Sequence, residues 1–201
     1  ATLHTLAVVP SLTPLPPYDP VRDFAPISLL ARCPLLLAVH PSVAVNSLDE
    51  LTRLARERPG ALTYASSAIG GSPHLAAALY QKMTHVEMKH VCYERTQELF
   101  ADLIAGRISL TFNNIMSMPS LLSSGMLRGL AVTGEERSSI VPQLPTVAES
   151  GLAGYEVTNW LGIVAPAGVR PEVMAVLNAA IVGALKMQDV KQNLAAIGME
   201  I

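Results

Sequence analysis

The chain has 201 residues, of which 50% are hydrophobic and 15% are charged, and its formal net charge is −2. A chain of this length holds one large domain or two small lobes with a well-buried interior. The near-neutral charge and an aromatic content of 4% exclude the basic, base-stacking surface of a nucleic-acid-binding protein.

The N-terminal region, residues 1–28, is rich in proline, so we expect an irregular or extended arm there. Its first residues lack the pattern of a signal peptide, and no apolar stretch reaches bilayer-spanning length. We therefore expect the chain either to be cytoplasmic or to begin after processing or truncation. Two apolar runs follow at 27–31 and 35–39, separated by residues 32–34, and they predict a strand buried on both faces.

Strands and helices then alternate along the chain. A capping box, Ser47 with Glu50, begins the first helix, and Pro59 with Gly60 ends it. The pattern predicts further helices from about 72, at 97–105 and at 118–122, and strands at 61–65, 87–92, 108–112 and 127–133. This alternation predicts a mostly parallel sheet with helices on both faces.

The C-terminal part has a different pattern. A second capping box joins Thr146 to Glu149, and a strand at 155–165 carries the only tryptophan, Trp160. Helices are predicted at 171–185 and 189–197. The last three residues begin a strand that is too short to be stable alone.

The stretch YASSAIGGSPHL at 64–75 joins a strand to a helix through two glycines. Ser72 is predicted to be the N-cap and Pro73 the first helical residue. Free N–H groups and the helix dipole at such a terminus favour an anion, and Gly70 and Gly71 let it approach closely. The stretch lacks the phosphate-loop lysine, the dinucleotide glycine spacing and the nucleophile elbow. It favours binding a small carboxylate over transforming it, and an ordinary, well-capped turn is the alternative.

Three polar loops follow predicted strands, at 66–72, 93–96 and 113–117. Ligands of open parallel sheets bind beyond the carboxyl ends of the strands. We therefore expect these loops to converge on one site.

Several segments carry a resemblance to a known family. They are YDPVRDFAP at 18–26, YASS at 64–67, SxHL at 72–75, RxLAVT at 128–133, LPTVAE at 144–149 and LGxxAPAG at 161–168. With these motifs in family order, the chain resembles the solute receptors of bacterial tripartite tricarboxylate transporters, which are Bug-type extracytoplasmic solute-binding proteins.

The resemblance implies an α/β fold of periplasmic-binding-protein type II, with two lobes of parallel-rich sheets joined by crossing strands. Residues 1–42 would form an N-terminal arm and a crossing strand of lobe 1, residues 43–127 lobe 2, and residues 128–201 a return strand and the remainder of lobe 1. The family's glycine-rich N-terminal binding loop and a C-terminal segment have no counterpart here. We therefore expect a truncated chain whose first lobe is incomplete.

The resemblance also implies a periplasmic receptor rather than an enzyme, without cofactor or metal. It would capture a small carboxylate, either an organic acid or an amino acid, for the membrane subunits of the transporter. Amides at 70–72 would take one carboxylate, and Trp160 would line the pocket or lie in the core. The expected ligand-binding residues are Ser66, Ser67, Gly70, Gly71, Ser72, His74, Tyr93, Arg95, Asn113, Asn114 and Trp160.

Two other interpretations stay open. A truncated, non-binding receptor would expose apolar surface where strands are missing, and would self-associate as a homo-oligomer through the incomplete lobe. A small hydrolase would pair Ser72 or Cys92 with His74 or His90, although no complete triad pattern is present. Cys33 and Cys92 are too few and too far apart for a metal or redox motif.

Overall fold

A computed structural model describes residues 1–12, 14 and 16–201. Thr13 and Leu15, which belong to the predicted N-terminal arm, lie outside the described residues. The chain divides into two compact units, one formed by residues 1–33 with 159–201 and the other by residues 34–158. It passes between them twice, inside the first strand and at the start of the last one.

The boundaries between the units fall after Cys33 and after Thr158, whereas the sequence-based boundaries fall after residues 42 and 127. Residues 35–39 and 128–132 pair with each other or with other strands of the second unit, which is why they group with it. The assignment of the three sequence segments to the lobes of a receptor stays a prediction.

The longest element is strand β1, Phe24–Val39. The sequence predicts two runs broken at residues 32–34, but the strand continues through Pro34. This proline lies where the chain passes between the units. The pairing with the second unit's strands begins only at Leu35, so the absent N–H of Pro34 removes no bond from those ladders.

The second unit contains a mixed sheet with the strand order β3-β2-β4-β1-β5. Its shorter strands are β2 Thr63–Ser66, β3 Lys89–Cys92, β4 Leu110–Asn114 and β5 Arg128–Val132. Strand β2 is parallel to β3 and β4, as the alternation predicts. Strand β1 is antiparallel to β4 and β5, so the sheet is mixed rather than mostly parallel.

Helices cover both faces of this sheet. They are α2 Leu48–Glu57, α3 Ser72–Thr84, α4 Thr96–Ile104 and α5 Pro119–Ser123. Residues 35, 37 and 39 of β1 lie in a core cluster with residues of α2 and α3, whereas residues 36 and 38 lie in a second cluster with residues of α4. This alternation confirms that the apolar run is buried on both faces.

The first unit begins with a helical segment, where the sequence predicts an irregular or extended arm whose apolar residues at 3–9 could form a short strand or a helical turn. A π-helical turn, His4–Val8, continues into α1, Val9–Leu12. Residues 1–9 contain no proline, which permits the helical turn, and apart from Pro10 the prolines of the arm follow the end of α1.

The C-terminal elements of the first unit are strand β6, Thr158–Pro166, which pairs with β1, and helices α6, Pro171–Leu185, and α7, Gln188–Ala196. No residue of α6 or α7 is buried, and Val176 is 69% exposed. In the described part of the chain, no single helix has the length and hydropathy of a membrane span. Helices α6 and α7 meet those criteria only as a pair, with a bend of 74° between them.

Candidate ligand-binding site

Three loops of the second unit lie at one edge of its sheet. Strands β2, β3 and β4 end at Ser66, Cys92 and Asn114. The parallel register aligns Ser66 of β2 with Cys92 of β3. On the other side of β2, it aligns Ala65 with Thr111 of β4. Because parallel strands end at the same edge, the loops that follow them converge there, as the sequence predicts.

The loop after β2, residues 66–72, is held closed by its own hydrogen bonds. We call it the β2–α3 loop. Its turn requires glycine at residue 70, where φ is 76°. The Gly71 N–H and the buried Ser66 hydroxyl both donate to the Ala68 carbonyl, at 3.2 Å each. The shape of the loop is therefore fixed by contacts inside it.

Two amides that the sequence assigns to a carboxylate are already engaged. The Gly70 N–H donates to Nδ1 of His74 at 3.1 Å, and the Gly71 N–H donates to Ala68. The expectation that these two amides are free is wrong, because the loop folds back on itself and His74 turns towards it.

The helix cap also differs from the prediction. Gly71 is the N-cap of α3, with an extended backbone at φ −66° and ψ 158°, and Ser72 is the first helical residue. Pro73 follows as the second residue, where its absent N–H removes no helical bond.

Other donors of the loop face solvent. Residues 67–69 are exposed, and Ile69 is 70% exposed. Within the described residues, their three backbone N–H groups and the Ser67 hydroxyl make no hydrogen bond to protein, and the same holds for the His74 N–H in the first turn of α3. These groups, rather than Gly70 and Gly71, offer hydrogen bonds to an anion.

A stack of three rings lies beneath the loop. The ring centroids form a triangle, in which His90 lies 4.8 Å from Tyr64 and 4.4 Å from His74, and Tyr64 lies 6.3 Å from His74. The His90 Nε2 lies 2.7 Å from the Ser66 hydroxyl. Burial, and next the charge of His74, lower the pKa of His90. Burial raises the pKa of Tyr64, against the opposing effect of its hydrogen bond with Gln81. The stack supports the loop from the sheet side.

Tyr64 and His90 are absent from the predicted ligand-binding residues. The pairing of β2 with β3 aligns Tyr64 with His90, so a prediction of that strand pairing would have identified them. Side chains alternate along a strand, so Ser66 lies on the same face as Tyr64. That placement brings Ser66 within reach of His90.

The same contacts bear on the hydrolase interpretation. His74 Nδ1 accepts from a backbone N–H, and His90 contacts Ser66 rather than Ser72. In the described residues, no third side chain orients His90 through a hydrogen bond. Activation of a serine nucleophile needs a histidine base that a third group orients, and this serine–histidine contact has no such third group.

The loop after β3 contains Tyr93 and Arg95. The Tyr93 hydroxyl donates to Oδ2 of Asp102 at 2.7 Å. The hydrogen that the predicted ligand contact requires is therefore already engaged in a bond within the protein. Burial, and next this bond to Asp102, raise the pKa of Tyr93 to about 12. Arg95 is exposed at the start of α4, and its guanidinium makes no contact with an acidic side chain of the described residues.

Asn113 and Asn114 are the last two residues of β4, at the sheet edge where the third loop begins. Asn113 is 8% exposed, and its Oδ1 accepts the Asn114 N–H at 2.8 Å. The Asn113 Nδ2 has no protein partner among the described residues. Asn114 Oδ1 accepts the Met116 N–H at 3.0 Å and caps a short 3-10 turn.

Trp160 belongs to the other unit, where it lies half-buried on β6. Its assignment as a ligand contact stays a prediction. No group of three His, Cys, Asp or Glu side chains within residues 1–12, 14 and 16–201 is arranged to hold a metal ion.

The whole chain, residues 1–201, matches the family model described as the tripartite tricarboxylate transporter family receptor. The chain belongs to that receptor family. It is 37% identical over 188 residues to the "UPF0065 protein in tcbD-tcbE intergenic region" of Pseudomonas sp. (strain P51), and 33% identical over 193 residues to protein BugT of Bordetella pertussis. These matches cover 93% and 96% of this chain but 56% and 59% of the relatives, so the chain spans less than two thirds of their length.

Solved structures of similar receptors cover nearly the entire chain. An R. palustris protein with adipate is 36% identical with a TM-score of 0.83, and MatC of Rhodopseudomonas palustris with bound malate is 28% identical with a TM-score of 0.78. The matches cover 100% and 99% of this chain, and 67% and 68% of those chains. The periplasmic binding protein BugD is 26% identical with a TM-score of 0.78, covering 97% of this chain and 65% of its own.

These matches confirm the Bug-type resemblance and the predicted fold class, an α/β fold of the type II periplasmic binding proteins. The mixed sheet and the two crossings between the units agree with that class.

Proposed function

We propose that the protein is a periplasmic receptor that captures a small dicarboxylate for a tripartite tricarboxylate transporter. The observation that carries this proposal is the similarity of the whole chain to a receptor that holds adipate, at 36% identity. A second similar structure holds malate. Both molecules carry two carboxylates and differ in the chain between them, so the shared chemistry is an acidic group at each end.

The β2–α3 loop supplies the donors for one carboxylate. Residues 67–69 are exposed, and their N–H groups and the Ser67 hydroxyl make no hydrogen bond to the described residues. The His74 N–H lies in the first turn of α3. A carboxylate there gains hydrogen bonds from neutral donors and the favourable end of the helix dipole. In this proposal Gly70 and Gly71 shape the loop instead of touching the ligand.

Asn113 and Arg95 supply the donors for the second carboxylate. Asn113 lies at the end of β4 and Arg95 lies in the loop after β3, at the same sheet edge as the β2–α3 loop. The Asn113 amide group and the Arg95 guanidinium can each donate to an anion. A ligand with a carboxylate at each end satisfies both sets of donors, whereas a monocarboxylate satisfies one.

The proposal includes delivery of the ligand to the membrane subunits of the transporter in the periplasm, and membership of the family supports it. Self-association also stays a prediction, which light scattering on the same samples measures.

Isothermal titration calorimetry tests the proposed function. Adipate and malate are titrated into the folded chain at pH 7.5, with pentanoate and adipamide as matched compounds that lack one or both charges. We expect binding of at least one dicarboxylate and affinity at least about tenfold lower for the matched compounds, since each lacks a charge-assisted bond. Absence of heat across a broad panel of dicarboxylates, with circular dichroism showing a folded chain, would contradict the proposal.

A further inference from the structure

The β2–α3 loop makes hydrogen-bond contacts with two imidazoles, neither of which is assigned a side-chain contact with the ligand in the proposed function. His74, on α3, accepts the Gly70 N–H at Nδ1. His90, on β3, contacts the Ser66 hydroxyl through Nε2. The two rings lie 4.4 Å apart between their centroids. The loop that the proposed function assigns to the carboxylate is therefore held by a histidine pair.

We propose that His74 and His90 are positioning residues that make the loop an acid-sensitive latch, closed when both imidazoles are neutral and released when His74 takes a second proton. The consequence for ligand affinity rests on the proposed function. The consequence for the loop itself does not.

The protonation state of His74 decides whether the Gly70 bond exists. A nitrogen that accepts a hydrogen bond carries a lone pair, so the neutral His74 ring has its proton on Nε2. Protonation adds a hydrogen to Nδ1, and the Gly70 N–H then faces another donor. Histidine is the side chain whose ordinary charge change falls between pH 5 and pH 8, which sets the pH range for the test.

His90 holds the other side of the loop through a short chain of hydrogen bonds. The Ser66 hydroxyl has one hydrogen, which it donates to the Ala68 carbonyl at 3.2 Å. A neutral His90 with its proton on Nε2 donates in turn to Ser66. The chain ends on the Ala68 carbonyl, which also accepts the Gly71 N–H. An imidazolium keeps its Nε2–H, so the Gly71 bond does not depend on the charge of His90, whereas the Gly70 bond needs a neutral His74.

The surroundings of the pair do not compensate a positive charge. Tyr64 stacks on both rings from β2, and Cys92 lies on the same face of β3 two residues after His90. Neither side chain is a carboxylate that could pair with an imidazolium. Among the described residues, no carboxylate is in ring or hydrogen-bond contact with either imidazole. Burial and the charge of His74 lower the pKa of His90, so the second ring resists protonation.

Amide hydrogen exchange on the full chain, without ligand, tests the latch. Protection factors of Gly70 and Gly71, corrected for intrinsic exchange at each pH, are compared at pH 8 and pH 5. We expect protection of Gly70 to fall about tenfold at pH 5, the size of change that follows loss of one hydrogen bond. Equal protection at both pH values would overturn the proposal.

Two variants separate the latch from general unfolding. In His74→Asn, the side-chain oxygen takes the place of Nδ1 as an acceptor that does not titrate, so protection stays constant with pH. In His74→Phe, the ring remains without an acceptor, so Gly70 is weakly protected at both pH values. The matched control His85→Asn, at the other end of α3, keeps the wild-type pH dependence. Wild-type protection in His74→Phe would also overturn the proposal.

Calorimetry with adipate then connects the latch to binding. We expect wild-type affinity to fall between pH 8 and pH 5 by more than the affinity of His74→Asn does, since protonation of adipate itself is common to both. If neither protein binds adipate or malate, the proposed function fails while the exchange result still decides the latch. If both bind with the same pH dependence, the latch does not control affinity and that consequence is wrong, while the exchange result decides the latch itself.

Discussion

The Gly70 N–H donates to the His74 imidazole across the first turn of α3, at 3.1 Å. The bond removes Gly70 from the groups available to a ligand and shapes a turn in which residues 67–69 are exposed. Gly70 and Ser67 therefore have separate roles, which substitutions can distinguish.

Ser67→Ala should weaken dicarboxylate binding without destabilising the fold. The Ser67 hydroxyl is exposed and makes no hydrogen bond within the described residues, so its loss costs the folded chain little. A hydrogen bond to a charged group contributes about 1.5–3 kcal/mol, so we expect affinity to fall at least about tenfold in calorimetry. Ser139→Ala, at another exposed serine, is the matched control. Unchanged affinity in Ser67→Ala would remove the hydroxyl from the site.

Gly70→Ala should lower both stability and affinity, whereas Gly125→Ala should lower stability alone. Both glycines have positive φ, 76° and 72°, and an L-residue in this conformation costs about 1–2 kcal/mol. Gly125 follows α5 and a Cβ there meets open space, so it controls for backbone strain. Urea unfolding and calorimetry measure the two effects. Equal affinity losses in the two variants would show that the shape of the β2–α3 loop does not determine ligand affinity.

Tyr93→Phe should destabilise the protein and leave its affinity unchanged. The Tyr93 hydroxyl is bonded to Asp102, which also accepts from Nε of Arg107 at 2.8 Å. Loss of a neutral donor from this group costs about 1 kcal/mol of the free energy of unfolding. A tenfold loss of affinity with unchanged unfolding would instead restore Tyr93 to the ligand contacts that the sequence predicts.

Stability should fall as the pH drops below about 6.5, the ordinary pKa of histidine, because the pKa of His90 is lowered in the folded chain. The unfolded chain then binds more protons than the folded chain, and the free energy of unfolding decreases with decreasing pH until His90 is protonated in both states. Urea unfolding between pH 5 and pH 8 measures this slope.

His90→Gln should flatten the pH dependence of stability, and His85→Asn should leave it unchanged, since His85 is exposed at the end of α3. An identical pH profile for the wild type and His90→Gln would show that His90 does not contribute to it.

The order of strands and helices could be predicted because it depends on local periodicity. Residues 35–39 are continuously apolar and are buried on alternate faces, and the capping box at Ser47 is present, with the Glu50 N–H donating to the serine at 3.2 Å. The convergence of the three loops follows from the parallel pairing of β2 with its neighbours.

The internal bonds of the site could not be predicted from the same patterns. Serine before proline is a strong cap signal, but the cap falls on Gly71 because the turn through Gly70 places the extended residue one position earlier. The Gly70–His74 bond depends on a side-chain rotamer, and the Ser66–His90 contact depends on which strands are neighbours. Neither is encoded in the spacing of residues along one element. The antiparallel pairing of β1 with β4 and β5 likewise depends on the long-range path of the chain.

A titration of the ¹⁵N-labelled chain with adipate and malate, followed by amide chemical shifts, tests whether the β2–α3 loop binds a dicarboxylate. We expect saturable shifts at the backbone amides of Ser67, Ala68 and Ile69 and at the Asn113 side chain, with smaller shifts at Gly70 and Gly71. A folded spectrum in which these amides do not move at millimolar ligand, or in which only distant amides move, would contradict binding at this loop.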